Sequence, residues 1–262
     1  MIERDIKAAL VDRLVERGDL AGDAVVVNEM AVADKERRAD LVVANGKLQA
    51  FEIKSDADKL DRLEGQIGTF LAHFDKVTIV CGSKHTNSIL DQVSAQVEVW
   101  VVTRSLNGVQ WKQARRGISV PVSDRDRIIS FLPKKEAIRA LRAAGISCAW
   151  DTPRAELIYW AEKMPVSALK NAVLDYVKSR YAEVNKTFMR RRSRRGTRPS
   201  HIELLSLYRE ERRGERDEPS IAFDLDNEEQ TRAASHPLAI DITKLPGACK
   251  NETGPIFVIP RG

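Results

Sequence analysis

Three residues of this chain have the types and spacing to do chemistry together: Asp40, Glu52 and Lys54. They lie in the run RADLVVANGKLQAFEIK, Arg38 to Lys54, which turns at Asn45-Gly46. Successive side chains of a strand face opposite ways, so Glu52 and Lys54 share one face and Ile53 takes the other. Leu48, Ala50, Phe51 and Ile53 suit a covered strand, where a carboxylate and an ammonium are costly unless each finds a partner. A divalent cation held by Asp40 and Glu52 is such a partner, and it leaves Lys54 to act on a water. The plainer reading is a strand end reaching solvent beside an ordinary hairpin turn.

Register separates the two readings. A two-residue loop pairs Ala44 with Lys47 and Asp40 with Phe51, which sends Asp40 to the face opposite Glu52. A three-residue loop with Gly46 left-handed pairs Val43 with Lys47 and Asp40 with Ala50, on the Glu52 face. The spacing therefore predicts the odd loop, or a bend at Asp40.

Ala39-Asp40, then Glu52-Ile53-Lys54, then an amphipathic helix carrying Gln66, resemble the PD-(D/E)XK nuclease superfamily, specifically a little-characterised bacterial and phage branch. The likeness covers about residues 1 to 105, with Ala39 where the name-giving proline would stand. It implies a restriction-endonuclease-like α/β fold and Mg²⁺ (or Mn²⁺) held by Asp40, Glu52 and the Ile53 carbonyl. Gln66 would then border the site and contact substrate or Lys54. Glu3 on the first helix is a candidate for the metal site under the same resemblance, with Glu16 behind it; the alternative is an acid well placed at a helix N-terminus. Glu29 interrupts the apolar run AVVVNEMAV and is either an accessory to the metal or a strand-edge residue.

The elements that must position these residues follow from periodicity. Ile2, Ile6, Leu10 and Leu14 recur at helical spacing before Gly18. Ala24 to Val32 reads as a strand beside the Asp40 strand. Leu60, Leu63, Ile67, Phe70, Leu71 and Phe74 make an apolar helical stripe with Gln66 on its flank. VTIVC, a helix from Ser83 to Ala95 and VEVWVV then repeat strand, helix, strand, which predicts parallel pairing through right-handed crossovers. Asn107-Gly108 marks a closing hairpin or loop. The expected core is a mixed central sheet flanked by helices over residues 1–120, antiparallel where the acids lie and parallel beyond.

From Pro121 the pattern is helical: Pro133 to Ala144, a helix opened by Thr152-Pro153, and Ser167 to Tyr181. Residues 121–185 read as a helical subdomain whose Trp150, Tyr159, Trp160, Tyr176 and Tyr181 either stack on bases or fill a core. Between Lys186 and Arg198 lie seven basic residues and no acid, including Arg190, Arg191, Arg192, Arg194 and Arg195. Such a run binds a polyanion through counterion release, or is a solvated linker. Arg37 and Arg38 are further phosphate-binding candidates, or neutralise nearby acids. Residues 186–262 are read as this basic linker plus a partly extended tail, whose end GPIFVIPRG wants a surface on the core, a second copy or a protein partner.

Composition sets the class. The chain has 262 residues, 43% hydrophobic and 31% charged, with net charge +5, enough for a core and drawn to an anion. Three scattered cysteines argue for a reducing cytoplasm and against a disulfide framework or zinc site. No stretch approaches the roughly 20 apolar residues of a membrane span. The resulting expectation is a cytoplasmic, Mg²⁺-dependent deoxyribonuclease acting on DNA in preference to RNA. Two alternatives stand beside it: a non-catalytic nucleic-acid-binding or partner-inhibiting protein on the same fold, and a transcriptional regulator using the basic run.

Overall fold

The computed structural model describes residues 1–33, 36–106, 108–192 and 196–207, with two short strands in the tail. The chain divides into two compact units, Met1–Glu211 and Arg212–Gly262. In the second, β7 (Ile240–Asp241) pairs antiparallel with β8 (Phe257–Val258). The remaining elements belong to the first: α1 (Glu3–Glu16), β1 (Val25–Val32), β2 (Arg37–Ala44), β3 (Leu48–Lys54), α2 (Leu63–His73), β4 (Lys76–Cys81), α3 (Thr86–Gln92), β5 (Glu98–Ser105), β6 (Gly108–Arg115), α4 (Arg125–Ile129), α5 (Lys134–Ala143), α6 (Arg154–Ala161) and α7 (Val166–Arg191). Two 3-10 helices, Ser83–His85 and Pro199–Leu205, complete it.

Six strands form one sheet in sequence order. β1, β2 and β3 are antiparallel neighbours, β3, β4 and β5 are parallel, and β6 returns antiparallel to β5. This is the mixed sheet flanked by helices that the strand periods predict. One face meets α2 and α4 to α7, where Val42, Ala50 and Ile79 pack with Phe70, Leu141, Leu157 and Val173. The other meets α1 and the Pro199–Leu205 helix, where Leu41, Phe51 and Ile53 pack with Leu10, Leu14, Ile202 and Leu205. The helices of residues 121–185 thus bury their apolar sides in the sheet's own cluster.

The longest helix runs further than its apolar period predicts, to Arg191 instead of Tyr181. No proline or glycine interrupts it, and lysine and arginine suit both helix interiors and the negative end of the helix dipole. Its Leu169, Val173 and Val177 join one cluster while Phe188 joins the other, so α7 passes from face to face across the edge strand β1. At the crossing, Asn185 Oδ1 accepts the Val26 N–H (2.9 Å) and its Nδ2 donates to the Val26 carbonyl (3.0 Å). The side chain completes the peptide pairing that an edge strand otherwise leaves open.

The β2–β3 hairpin has the predicted odd loop. Ala44 pairs with Leu48, leaving Asn45, Gly46 and Lys47 as the turn, with Gly46 at φ 101. The register differs by two residues from the expected one: Val43 faces Gln49, not Lys47. Parity is kept, and extending the ladder past Leu41–Phe51 brings Asp40 opposite Glu52.

The β2 strand also bends, which the spacing offered only as the alternative to an odd loop. Val42 and Ala44 point to the α2 side, and so does Ala39, which strict alternation would send the other way. β1 turns over at the matching place: Val27 and Met30 share a face, and Glu29 between them sits at φ 59. A left-handed non-glycine residue costs roughly 1–3 kcal/mol, held here by the sheet on either side.

Candidate functional site

At the turnover the β2–β3 ladder ends and a side chain takes its place. Asp40 Oδ2 accepts the backbone N–H of Ile53 at 2.7 Å. Burial, then the charge of Glu52, push the Asp40 carboxyl up to about 7, against the pull of Lys7 and of this hydrogen bond. A carboxylic acid in that range gains and loses a proton near neutrality.

Lys7, one turn into α1, is the hub on the α1 side. Its side chain is 4% exposed, and Nζ lies 2.8 Å from Glu3 Oε1, 3.6 Å from Glu29 Oε1 and 3.7 Å from Asp40 Oδ1. Burial alone lowers its pKa; Asp40, Glu3 and Glu29 outweigh burial and raise it, so the ammonium stays charged. Glu29 also accepts from Arg38 at 3.0 Å.

Glu52 and Lys54 sit on the α2 side, as period 2 requires. Lys54 Nζ donates to Glu52 Oε1 at 2.7 Å and to Gln66 Oε1 at 3.1 Å. Glu52 is 2% exposed and its Oε2 is buried without a hydrogen-bond partner. Burial raises its pKa against the opposing pull of Lys54. The sequence thus brings Asp40, Glu52, Lys54, Gln66, Glu3 and Glu29 to one end of the sheet, with Ile53 as backbone support. Glu16 lies in the last turn of α1 and pairs with Arg13.

Among the described residues, no group of three or more histidine, cysteine, aspartate or glutamate side chains is arranged to hold a metal ion. The carboxylates at this end of the sheet are met by cations of the chain itself, Lys7, Arg38 and Lys54. Arg37 opens β2 opposite Val32. Of the basic run, Arg190 and Arg191 are exposed at the end of α7, while Arg192 Nε donates to Asp12 Oδ1 at 2.9 Å. Arg194 and Arg195 lie outside the described residues, as does most of residues 208–262. Among the described residues no helix is long and apolar enough to cross a membrane.

The comparisons decide the family. Residues 1–206 match the family model described as "Bacteriophage P4 protein cII". Protein cII of Enterobacteria phage P4 is 38% identical over 189 residues, covering 72% of this chain and 71% of that protein. The chain belongs to the bacteriophage P4 protein cII family. The cII match ends where the Pro199–Leu205 helix ends, so it spans the six-stranded sheet and α1 to α7. A solved protein of unknown function from Silicibacter pomeroyi is similar at 18% identity with a TM-score of 0.35, covering 53% of this chain and 84% of that one.

Membership of the cII family corrects three expectations. The identification with PD-(D/E)XK nucleases is overturned, and with it the deoxyribonuclease activity and the nuclease, hydrolase and magnesium descriptions that rested on it. The physical reason is the brevity of the motif. Two acids and a lysine on adjacent strands arise wherever a polar strand end is charge-balanced, and here Lys54 and Lys7 do the balancing.

The residue the sequence reading passed over is Lys7. Its signal is its place four residues after Glu3, on the flank of the Ile6-Leu10-Leu14 stripe. Asn185 is a similar case, a polar residue inside an otherwise amphipathic helix.

Proposed function

We propose that this cII-family protein is a non-catalytic regulatory protein that binds nucleic acid through the basic end of α7. The observation that carries the reading is that Lys186, Arg190 and Arg191 are exposed on a helix fixed to the sheet edge by Asn185. Cations on an anchored helix meet a phosphate backbone without first losing the freedom of a linker. Arg194, Arg195 and Arg198 extend the same run in sequence. DNA is the proposed polyanion, with RNA as the second case. The acid end of the sheet supports a non-catalytic reading because each of its lysines is already engaged by carboxylates.

The test is fluorescence anisotropy of labelled duplex DNA, single-stranded DNA and RNA over a salt series. Binding should weaken as salt rises, and the Arg190→Ala/Arg191→Ala double variant should reduce the log–log slope by about 2. Equal slopes for wild type and variant would sink the assignment of the surface. Incubation of plasmid with Mg²⁺ or Mn²⁺ should leave it intact; cleavage lost in Lys54→Ala would overturn the non-catalytic reading.

A further inference from the structure

The aromatic residues from Trp150 to Tyr181 divide between core and surface. Trp160 of α6 and Tyr176 and Tyr181 of α7 are half-buried against the cluster under the sheet. Trp150 and Tyr159 stay out of that cluster, 53% and 61% exposed. A lone ring on a surface is ordinary, because apolar atoms make up much of any folded surface. These two differ in what accompanies them.

Each ring is joined to a cation. The guanidinium of Arg142, in the last turn of α5, lies over the Trp150 ring, 4.3 Å from its centre. It is held there by hydrogen bonds that Nε and Nη2 donate to the Cys148 carbonyl. Tyr159 and Trp160 meet edge to face with ring centres 5.3 Å apart, and Lys163 Nζ sits 4.1 Å from the Trp160 ring and 5.2 Å from the Tyr159 ring. Contacts of this kind fix the rings without spending the positive charge.

That charge stays exposed. Glu136 pairs with Arg139 and Glu162 with Arg125, and among the described residues neither Arg142 nor Lys163 meets a carboxylate. Asp151 and Glu156 are the acids left over, and residues 133–165 carry six lysines and arginines against four acids. Trp150 and Tyr159 are nine residues apart, the last five steps helical, so their Cα atoms lie within about 22 Å. A single-strand site of roughly 4–16 nucleotides spans that distance.

We propose that the Trp150–Arg142 stack and the Tyr159–Trp160–Lys163 cluster form a surface for single-stranded nucleic acid, with bases stacked on Trp150 and Tyr159 and phosphates against Arg142 and Lys163. Unpaired bases present a free face to such rings, whereas those of a duplex are stacked on one another. The proposal rests on the reading of the protein as a nucleic-acid binder, though not on the end of α7 as the surface, and it names the substrate class. Lys163 lies just before α7 and Arg190 at its far end, so a helix about 39 Å long separates the two surfaces and each can be removed without the other.

The test titrates the full chain with oligothymidylate, oligouridylate, duplex DNA and inorganic polyphosphate, following tryptophan emission and, for the labelled nucleic acids, anisotropy over a salt series. Both single strands should quench the emission saturably, and the tighter of the two names the source. Trp150→Ala and Tyr159→Ala, at exposed positions, should each weaken single-strand binding roughly 5- to 150-fold with the salt slope unchanged, since no charge is removed. Trp150→Phe should keep most of the affinity and lose much of the quench. Quenching by polyphosphate equal to that by the single strands overturns stacking. Unchanged affinity in both alanine variants overturns the surface and leaves the rings to a protein partner; a lowered salt slope in the Arg190→Ala/Arg191→Ala variant then preserves the end of α7. Loss in Trp150→Ala with an unchanged slope in that double variant preserves this surface and overturns the other. A wild type that binds none of the nucleic acids overturns both.

Discussion

The carboxylate of Asp40 accepts the Ile53 backbone N–H at 2.7 Å, standing in the sheet where a carbonyl of β2 would stand. Ladder pairing between β2 and β3 ends one residue earlier, at Leu41 and Phe51. A side chain therefore bridges two strands as they part, and its charge is buried in doing so. The energetic consequences of that arrangement can be measured.

Stability should fall as pH rises from about 4 to 7. The Asp40 carboxyl titrates near 3.8 when unfolded and is pushed up to about 7 in the fold, so the folded state favours the protonated form. That contribution is complete below the unfolded value and is lost as pH rises through the folded one, amounting to as much as ~4 kcal/mol. Asp40→Asn keeps an acceptor for Ile53 and removes the titration. Urea unfolding at pH 5 and pH 8 should show the wild type losing more stability than the variant, in which Glu52, also raised by burial, still titrates; equal losses would show that Asp40 does not set the dependence.

Lys54→Met should destabilise the fold by ~3–5 kcal/mol at pH 8, because it strands the buried Glu52 carboxylate. Adding Glu52→Gln should recover most of the loss. Chemical denaturation of the two single variants and the double variant measures this as a cycle. A double variant no better than Lys54→Met alone would mean that the pair contributes through packing and not charge.

Asn185→Leu should cost about 2–4 kcal/mol, since it leaves the Val26 N–H and carbonyl without partners inside the protein. Hydrogen exchange is the sharper readout. The Val26 amide should lose protection well before the amides of β3 and β4, and uniform loss across the sheet would contradict a local edge-capping role.

Asp75 is a third buried carboxylate with a structural role. It is 4% exposed, accepts from the Leu48 N–H (3.1 Å) and the Val122 N–H (3.0 Å), and pairs with Lys170 of α7. Asp75→Ala should cost ~3–5 kcal/mol by leaving two peptide groups and one ammonium unmet. Asp75→Asn should cost less. The thermal midpoints of both variants check the order.

Local pattern made much of this architecture readable in advance. Period 2 in Leu48 to Lys54 put Glu52 and Lys54 on one face, and the 3.6 period of Leu63 to Phe74 put Gln66 on the flank that meets them. Asn45-Gly46 announced a turn whose residue count decides parity, and the count is odd. The register itself was off by two residues because a glycine-containing loop can place its left-handed residue at more than one position. The motif also pointed to the wrong family, since a few residues on two strands cannot distinguish a catalytic ion site from a charge-balanced strand end.

By itself the sequence determined the order of the main elements, the mixed sheet and, outside the turnover of β1 and β2, which side chains a strand turns to each face, because those follow from periods of two and 3.6 residues within a single segment. Tertiary structure decided the rest. Lys7 reaches Asp40 only because α1 packs on the far face of the sheet, Asn185 reaches Val26 only because α7 crosses the β1 edge, and Ala39 changes face only because β1 and β2 turn over together. Each of these joins segments distant in sequence or adjoining strands, and their energy depends on burial and on which polar groups are left to be paired, quantities that no local period encodes.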